Sequence, residues 1–553
     1  MGSGVAAALL VLPAACTDEA PAAPEPEPAV LAGHVLRTQS APEPRVWGLS
    51  RGSARVGRAE PLPIGTGWGP SKRTIERARA TVGRMSLRER AGQVIVAHYP
   101  GTAPPVGLVR RLHLGGVVLF DGNVASNDQV RASNRALQES VRRDGRRFGV
   151  TIAVDQEGGA VERVTTATRF PAFMTAGAAG SLALTRAAAT ASGQELAGLG
   201  FTADYAPVAD VTTGAADPVI RSRSAGSDPG QVTAHAIAAA RGYRAAGVVP
   251  ALKHFPGHGS VTADSHITLP VQGRSRAELA AADLVPFRAG VRAGLPSVMV
   301  GHLDVRAVDP GVPSSLSRRV VTGLLRQRLG FEGLVVTDAL NMGAVTRTHD
   351  SARSAVAALR AGVDVLLMPP SPQQARDGIV RAVRSGRLAS QRLDQAATRH
   401  VALLMHQRRR AAERRPVRAP GSSWTESAGW SAAALTSVSG PCTGRLVGDR
   451  VKLTGDAAAV ATFRRIAEDA GLRFGKKGTK VRLLGRGDDA APGDVVVALA
   501  DPYVLGASDA PVRLATYGST PGAISVLVSH LLGRAPAPGR LPVPVAGVDR
   551  SGC

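Results

Sequence analysis

Cysteine, lysine and aromatic residues are all scarce in this chain of 553 residues. Three cysteines cannot staple so long a chain, which excludes a disulfide-dense scaffold. Aromatics make up 3%, too few for the stacking platforms that hold single-stranded nucleic acids. No uninterrupted apolar run reaches the roughly 18 residues of a membrane-spanning helix. Acidic residues are outnumbered, 43 Asp and Glu against 67 Lys and Arg, giving a formal net charge of +24. Only six of those basic residues are Lys, and the Arg residues run through every segment. The excess therefore reads as a basic surface suited to an anionic polymer outside the cell, with no nucleic-acid partner. Hydrophobic residues, at 44%, are plentiful enough to bury a large core, which excludes wholesale disorder.

The N-terminus is apolar from Val5 to Leu12, and small residues then lead to Cys16. This resembles the end of a bacterial lipoprotein signal peptide, which implies export and a lipid anchor on Cys16 after cleavage. Two features depart from that pattern: no Lys or Arg precedes the apolar run, and Pro13 stands where an aliphatic residue is usual. An ordinary signal peptide is the alternative. Residues 17–70 are rich in Ala, Pro, Glu and Gly and read as a tether. If Cys16 takes lipid, Cys442 and Cys553 remain as a candidate disulfide, which an exported compartment permits; two unpaired thiols are the other possibility.

From 71 to 407 short β-rich runs alternate with Ala-rich helical stretches. Eight such runs occur: Val94–Ala97, Gly116–Phe120, Val150–Asp155, Thr202–Val208, Val249–His254, Ser297–His302, Leu334–Asp338 and Asp364–Met368. The intervening stretches include Leu184–Leu199, Pro229–Ala246 and Arg276–Ala293. Strand–helix alternation implies a parallel sheet, and eight units predict an α/β fold of the (β/α)8 TIM-type barrel class. A doubly wound sheet is disfavoured because no Gly-rich phosphate loop follows a strand. Asp155, Lys253, His254, His302 and Asp338 all fall at strand ends, where barrel active sites lie. Residues 408–440, basic and then Gly/Ser-rich, read as a linker. Strand-like runs at Val495–Ala500 and Leu514–Tyr517 and a helical run at Ile524–Leu532 predict a smaller C-terminal α/β sandwich domain over 441–553.

The segment from Lys253 to His266 carries the most chemistry. His254 and His258 are four apart, as in a helical zinc pair, but Pro256 and Gly257 between them argue against a helix, so no metal is expected. Asp264 and His266 are two apart on a Gly-flanked loop. A carboxylate beside an imidazole fixes its tautomer and makes it a proton shuttle near neutrality.

With KHFPGHG followed by DSH, the chain resembles glycoside hydrolase family 3, and within it the β-N-acetylhexosaminidases. Further matches run in the family's order: MSLRERAGQ (Met85–Gln93), LGGVVLF (Leu114–Phe120), VDQEGGAVERV (Val154–Val164), YAPVADV (Tyr205–Val211), DPVIRSRSAGSDP (Asp217–Pro229) and GFEGLVVTDALNMGA (Gly330–Ala344). The resemblance covers about residues 75 to 405 continuously, and ATYGSTPGAISVLVSHLLG with GRLPV is similar to the family's C-terminal domain.

The resemblance implies a retaining exo-acting glycosidase for β-linked amino-sugar oligosaccharides or cell-wall fragments, with no cofactor. It implies Asp338 as nucleophile and His266, paired with Asp264, as acid/base. It further implies Asp155, Arg163, Arg223, Lys253 and His254 as sugar-binding residues, although an internal Asp155–Arg163 salt bridge is an alternative. Glu157 is expected only to support its turn, and His258 and His302 to be structural. The sequence departs from the family at Ala225, where Phe is usual, and at Arg221, where a small residue is usual. A β-glucosidase on the same scaffold and a non-catalytic wall-binding lipoprotein are the rival readings.

Overall fold

The computed structural model describes residues 64–411, 416–549 and 551–553. The signal segment, Cys16 and most of the tether lie outside the described residues. Residues 64–70, expected as the end of the tether, already belong to the folded body: Trp68 is buried and its indole donates to the Gly65 carbonyl.

Eight parallel strands form the barrel: β1 (Ile95–His98), β2 (Gly116–Leu119), β3 (Thr151–Val154), β4 (Ala203–Asp204), β5 (Val249–Phe255), β6 (Ser297–Val300), β7 (Leu334–Thr337) and β8 (Leu366–Leu367). They are hydrogen-bonded in the order β8-β1-β2-β3-β4-β5-β6-β7, and a bridge between Val336 and Val365 joins the two ends. Most are apolar on both sides because side chains facing in fill the barrel and those facing out meet helices. Each of the eight runs read from the sequence supplies one strand. The β4 run is interrupted around Pro207, which has no N–H to give its neighbour, and its pairing with β5 resumes at the bridge of Val208 to Lys253. The stretch 276–293 divides into helices Arg276–Ala281 and Leu284–Arg292. Pro286 cannot donate to the residue 282 carbonyl. Between the two helices, the Asp283 carboxylate is taken by Ser260 and Arg274.

The stretch 408–440 is not a plain linker. Helix Ser390–Ala411 continues through the basic run, with Gln407 and Arg408 donating to the Thr202 and Arg147 carbonyls. Helix Trp424–Ala434 and strand β9 (Thr436–Ser439) follow. The buried Glu195 carboxylate accepts from the backbone of Gly421 and Ser423 and so pins the entry to that helix. A sequence rich in Gly and Ser gave no sign of such an anchor.

The C-terminal domain is a six-stranded sheet. With β10 (Arg450–Gly455), β11 (Arg473–Phe474), β12 (Thr479–Leu484), β13 (Val495–Ala498) and β14 (Val512–Ala515), its order is β9-β14-β13-β12-β10-β11, and only β9 runs antiparallel to its neighbour. Alternation decides what each face meets. Val481, Leu483, Val495 and Val497 pack on helices Ala457–Asp469 and Pro521–Leu531. Leu484, Val496, Ala498 and Ala515 pack with Met174 and Ala178 of the barrel and Ala434 of the connecting helix. Cys442 and Cys553 form a disulfide with Cα atoms 5.7 Å apart. Among the described residues no helix is long and apolar enough to cross a membrane.

Under the barrel, Asp364 is fully buried among three guanidiniums, from Arg326 (2.5 Å), Arg392 (2.9 Å) and Arg399 (3.5 Å). Burial alone would raise its pKa, but the charges of Arg326, Arg399 and Arg392 outweigh it and hold the pKa below the ordinary value. Removing one member of a buried ion cluster strands the others, so Asp364→Ala is expected to cost about 3–5 kcal/mol in urea unfolding. The carboxylate's contribution is complete above its ordinary pKa of about 3.9 and is lost as the pH falls through the lower folded value. Wild-type stability should therefore decline below about pH 4 more steeply than that of the variant.

Candidate active site

Every charged group expected at the site stands at the C-terminal end of a barrel strand or on the loop that follows it. Asp155 follows β3, Lys253 and His254 are among the last residues of β5, and Asp338 follows β7. Arg223 comes from the long excursion after β4, and Asp264 and His266 from the loop after β5. All of them, with Arg163, line one cavity of about 400 Å3.

One side of the cavity is an ionic ladder. The Lys253 ammonium, 2% exposed, lies 2.7 Å from Asp155 Oδ1 and 2.5 Å from Glu157 Oε1. Glu157 in turn accepts both prongs of the Arg223 guanidinium, at 2.8 Å each. Burial opposes charge on all of these groups. The neighbouring cations Arg223 and Lys253 nevertheless hold Glu157 well below the carboxylate range, and Asp155 and Glu157 keep Lys253 above its ordinary value. Glu157 thus does more than support its turn: it joins two cations that line the cavity. It stands two residues after Asp155, and that spacing at a strand end was the available signal. The Asp155–Arg163 salt bridge does not form, since Asp155 pairs with Lys253. The Arg163 guanidinium lies 4.9 Å over the Phe120 ring, with its buried Nε lacking a hydrogen-bond partner.

Asp210 was not picked out from the sequence, although it lies in YAPVADV. It is fully buried, binds His254 Nδ1 at 2.6 Å, and accepts from the backbone of His254 and His258. That bond turns His254 Nε2 toward Arg223, 3.5 Å away. His258 bonds Ser265 Oγ at 2.8 Å and so fixes the root of the following loop. His254 and His258 are thus committed to Asp210 and Ser265. Among the described residues no cluster of three or more His, Cys, Asp or Glu side chains could hold a metal ion.

Asp338 lines the same cavity as the ladder. Burial would raise its pKa, but His254, His302, the Ala339 N–H at 2.8 Å and Lys253 lower it to about 2. It is therefore an anion throughout the physiological range, half-buried in the cavity wall. His302 is held by Ser315 and the Ala339 carbonyl and lies behind Asp338.

The loop bearing Asp264 and His266 is tied to the segment that follows Asp338. Gly343 N donates to the His266 carbonyl at 2.9 Å and Ala344 N to the Ser265 carbonyl at 3.2 Å. A side chain at 343 would meet the Ile267 carbonyl at 2.4 Å, so this approach needs glycine. Asp264 Oδ1 accepts from both the backbone N and Nδ1 of His266, at 2.8 and 2.7 Å. Burial opposes the Asp264 charge, and the two His266 N–H bonds with the nearby imidazoles together outweigh it and lower its pKa. Nδ1 is thereby engaged, which leaves Nε2 of the exposed His266 ring as the nitrogen free to exchange a proton.

Comparison with known proteins agrees with this architecture. The model of the Glycosyl hydrolase family 3 N terminal domain matches residues 86–403. The chain is 36% identical over 288 residues to Beta-hexosaminidase A of Pseudoalteromonas piscicida, covering 48% of each chain, so it spans about half the length of that relative. It is 34% identical over 370 residues to Beta-hexosaminidase LpqI of Mycobacterium tuberculosis, covering 64% of this chain and 91% of that one. A solved glycoside hydrolase family 3 beta-N-acetylglucosaminidase from Paenibacillus sp. superposes with a TM-score of 0.76 at 27% identity, over 84% of this chain and all of that one. With a family model matching more than half of its length on a barrel of this topology, the chain belongs to glycosyl hydrolase family 3 and is a glycoside hydrolase.

Proposed function

We propose that the chain is an exported, retaining exo-β-N-acetylhexosaminidase that removes terminal N-acetylglucosamine from cell-wall fragments or chitin oligomers. One observation carries this reading: an ionised Asp338 and the His266–Asp264 dyad share one cavity, on segments hydrogen-bonded to each other. The names of the relatives above support the amino-sugar specificity.

Retention requires two displacements at the anomeric carbon. In the first, an Asp338 oxygen bonds to that carbon while the glycosidic bond breaks, and the departing oxygen takes the His266 Nε2 proton. In the second, water attacks the same carbon, His266 Nε2 takes its proton, and Asp338 leaves as a carboxylate. A carboxylate is suited to both events, as a nucleophile and as an ester leaving group. Most glycosidases use a second carboxylate as acid/base; an imidazole with an ordinary pKa near 6.5 is already matched to neutral pH. The ladder of Asp155, Lys253, Glu157 and Arg223, with Arg163 and His254, presents both acceptors and donors to the sugar hydroxyls. Export rests on the N-terminal segment and is supported by the Cys442–Cys553 disulfide, a bond characteristic of oxidising compartments. A lipid on Cys16 would hold the enzyme at the outer face of the cell membrane.

Paired assays with the glucoside and the N-acetylglucosaminide of one chromogenic phenol test the specificity. Cleavage of the N-acetylglucosaminide is expected, and cleavage of the glucoside alone would overturn it. Asp338→Ala should lower kcat by on the order of 10^4-fold or more with an unchanged circular dichroism spectrum. A mechanism-based fluorosugar should label Asp338 in peptide mass mapping, and label on another residue would remove its assigned role. His266→Ala should lower kcat/KM by roughly 10^2–10^4-fold on sugar leaving groups and much less on dinitrophenol, which departs without a proton. Equal losses on the two would exclude His266 as the proton donor of the first step.

A further inference from the structure

The C-terminal domain supports the wall of the sugar pocket at the loop 217–223. This loop forms part of the cavity wall through Pro218, Val219, Ile220 and Arg223. Its inner side is held by Asp217, whose carboxylate accepts from the backbone of Val219, Ile220 and Arg221. Its outer side is held from the other domain. Asp501, just beyond β13, takes Arg221 in a two-pronged bond, Nε to Oδ2 at 2.8 Å and Nη2 to Oδ1 at 2.6 Å. The Arg221 guanidinium also lies 5.2 Å over the Tyr503 ring. Arg486, on the loop after β12, donates to the Pro218 carbonyl at 3.3 Å and itself lines the cavity.

Arg221 has a left-handed backbone, φ 44°, which a residue other than glycine rarely adopts unless its surroundings impose it. The turn it begins ends on Arg223, whose backbone N bonds the Ile220 carbonyl at 2.7 Å and whose guanidinium is the outer rung of the ladder. The Asp501–Arg221 pair is therefore two residues from a sugar-facing cation. It is not needed to dock the domains, because Met174, Ala178 and Ala434 already bury the other face of the sheet.

We infer that Asp501 is a positioning residue of the active site, fixing through Arg221 the turn that delivers Arg223 to the terminal sugar. The site is thus completed by the C-terminal domain, although every group assigned to the chemistry is in the barrel. This builds on the proposed glycosidase reading but does not depend on which sugar is bound.

The test compares wild type with Asp501→Ala, Arg221→Ala and the double variant, all in the full chain. Each single variant should raise KM about tenfold on the aryl glycoside that the wild type cleaves, with kcat within about threefold. The double variant should be no worse than either single one, because both remove one interaction. Arg221→Lys, which keeps the charge but not the fork, should recover only part of the loss. Amide hydrogen exchange should quicken over 217–223 and stay unchanged within the strands β12, β13 and β14 and within the strands β3, β4 and β5 themselves. Wild-type KM in both single variants, or exchange that is unaltered in 217–223 or quickened through the whole C-terminal sheet, would overturn the inference. A wild type that cleaves no aryl glycoside would overturn the functional reading alone, and the exchange measurement would still decide this one.

Discussion

A lysine ammonium buried between two carboxylates organises the mouth of this barrel. Lys253 is nearly inaccessible to water, and an unpaired charge there would be prohibitive. Asp155 and Glu157 relieve it, and Glu157 is itself a buried anion that requires Arg223. The groups are thus mutually dependent: removing any rung leaves a neighbour buried with its charge unbalanced. That dependence makes the pocket rigid before a ligand arrives, which is the condition under which fixed charges act most effectively on a developing transition state. The same ladder joins β3, β5 and the excursion after β4, so pocket geometry is tied to the alignment of these strand ends.

A different constraint operates at Asp338. In the proposed mechanism it must be charged and close to a proton donor, yet a second carboxylate beside it would raise its pKa. Placing an imidazole on the donor side avoids that repulsion. Asp264 engages His266, and the backbone bonds from Gly343 and Ala344 keep the loop in register with the Asp338 segment. The outer part of that loop is exposed while Ser265 is buried and bonded to His258, so any movement of the dyad turns about a fixed root.

How much of this was legible follows from the range over which each signal acts. The eight strands were visible because a strand buried on both faces must be locally apolar. The site charges were visible because strand ends interrupt that pattern. Asp338, Lys253 and His254 are therefore legible one by one. Their pairings are not: Glu157 looks like a turn residue until Arg223, 66 positions later, is brought onto it. Asp210 hides for a similar reason, since its partners lie 44 and 48 positions away. The stretch 408–440 was misread because its order comes from a distant Glu195 and from barrel carbonyls, not from its own composition. Arg221 was noticed as a departure, but its meaning lies in Asp501, 280 positions on.

The arginine excess can be read in the same way. Arg326 spends its donors on the carbonyls of Gly362, Phe331 and Gly333 and on Asp364. Arg392 reaches the Leu359 and Val363 carbonyls as well as Asp364, and Arg376 reaches the Arg111 carbonyl. A lysine could not replace these, because a single ammonium on a flexible stem cannot satisfy several carbonyls in one plane, whereas a guanidinium presents five donors in a fixed fork. Part of the net charge of +24 is therefore carried by interior groups that tie strand and helix ends together, where no polymer can reach them. Counting basic residues overstates the field such a protein offers to an anionic partner, because Arg326, Arg376, Arg392 and Arg399 act as interior hydrogen-bonding forks.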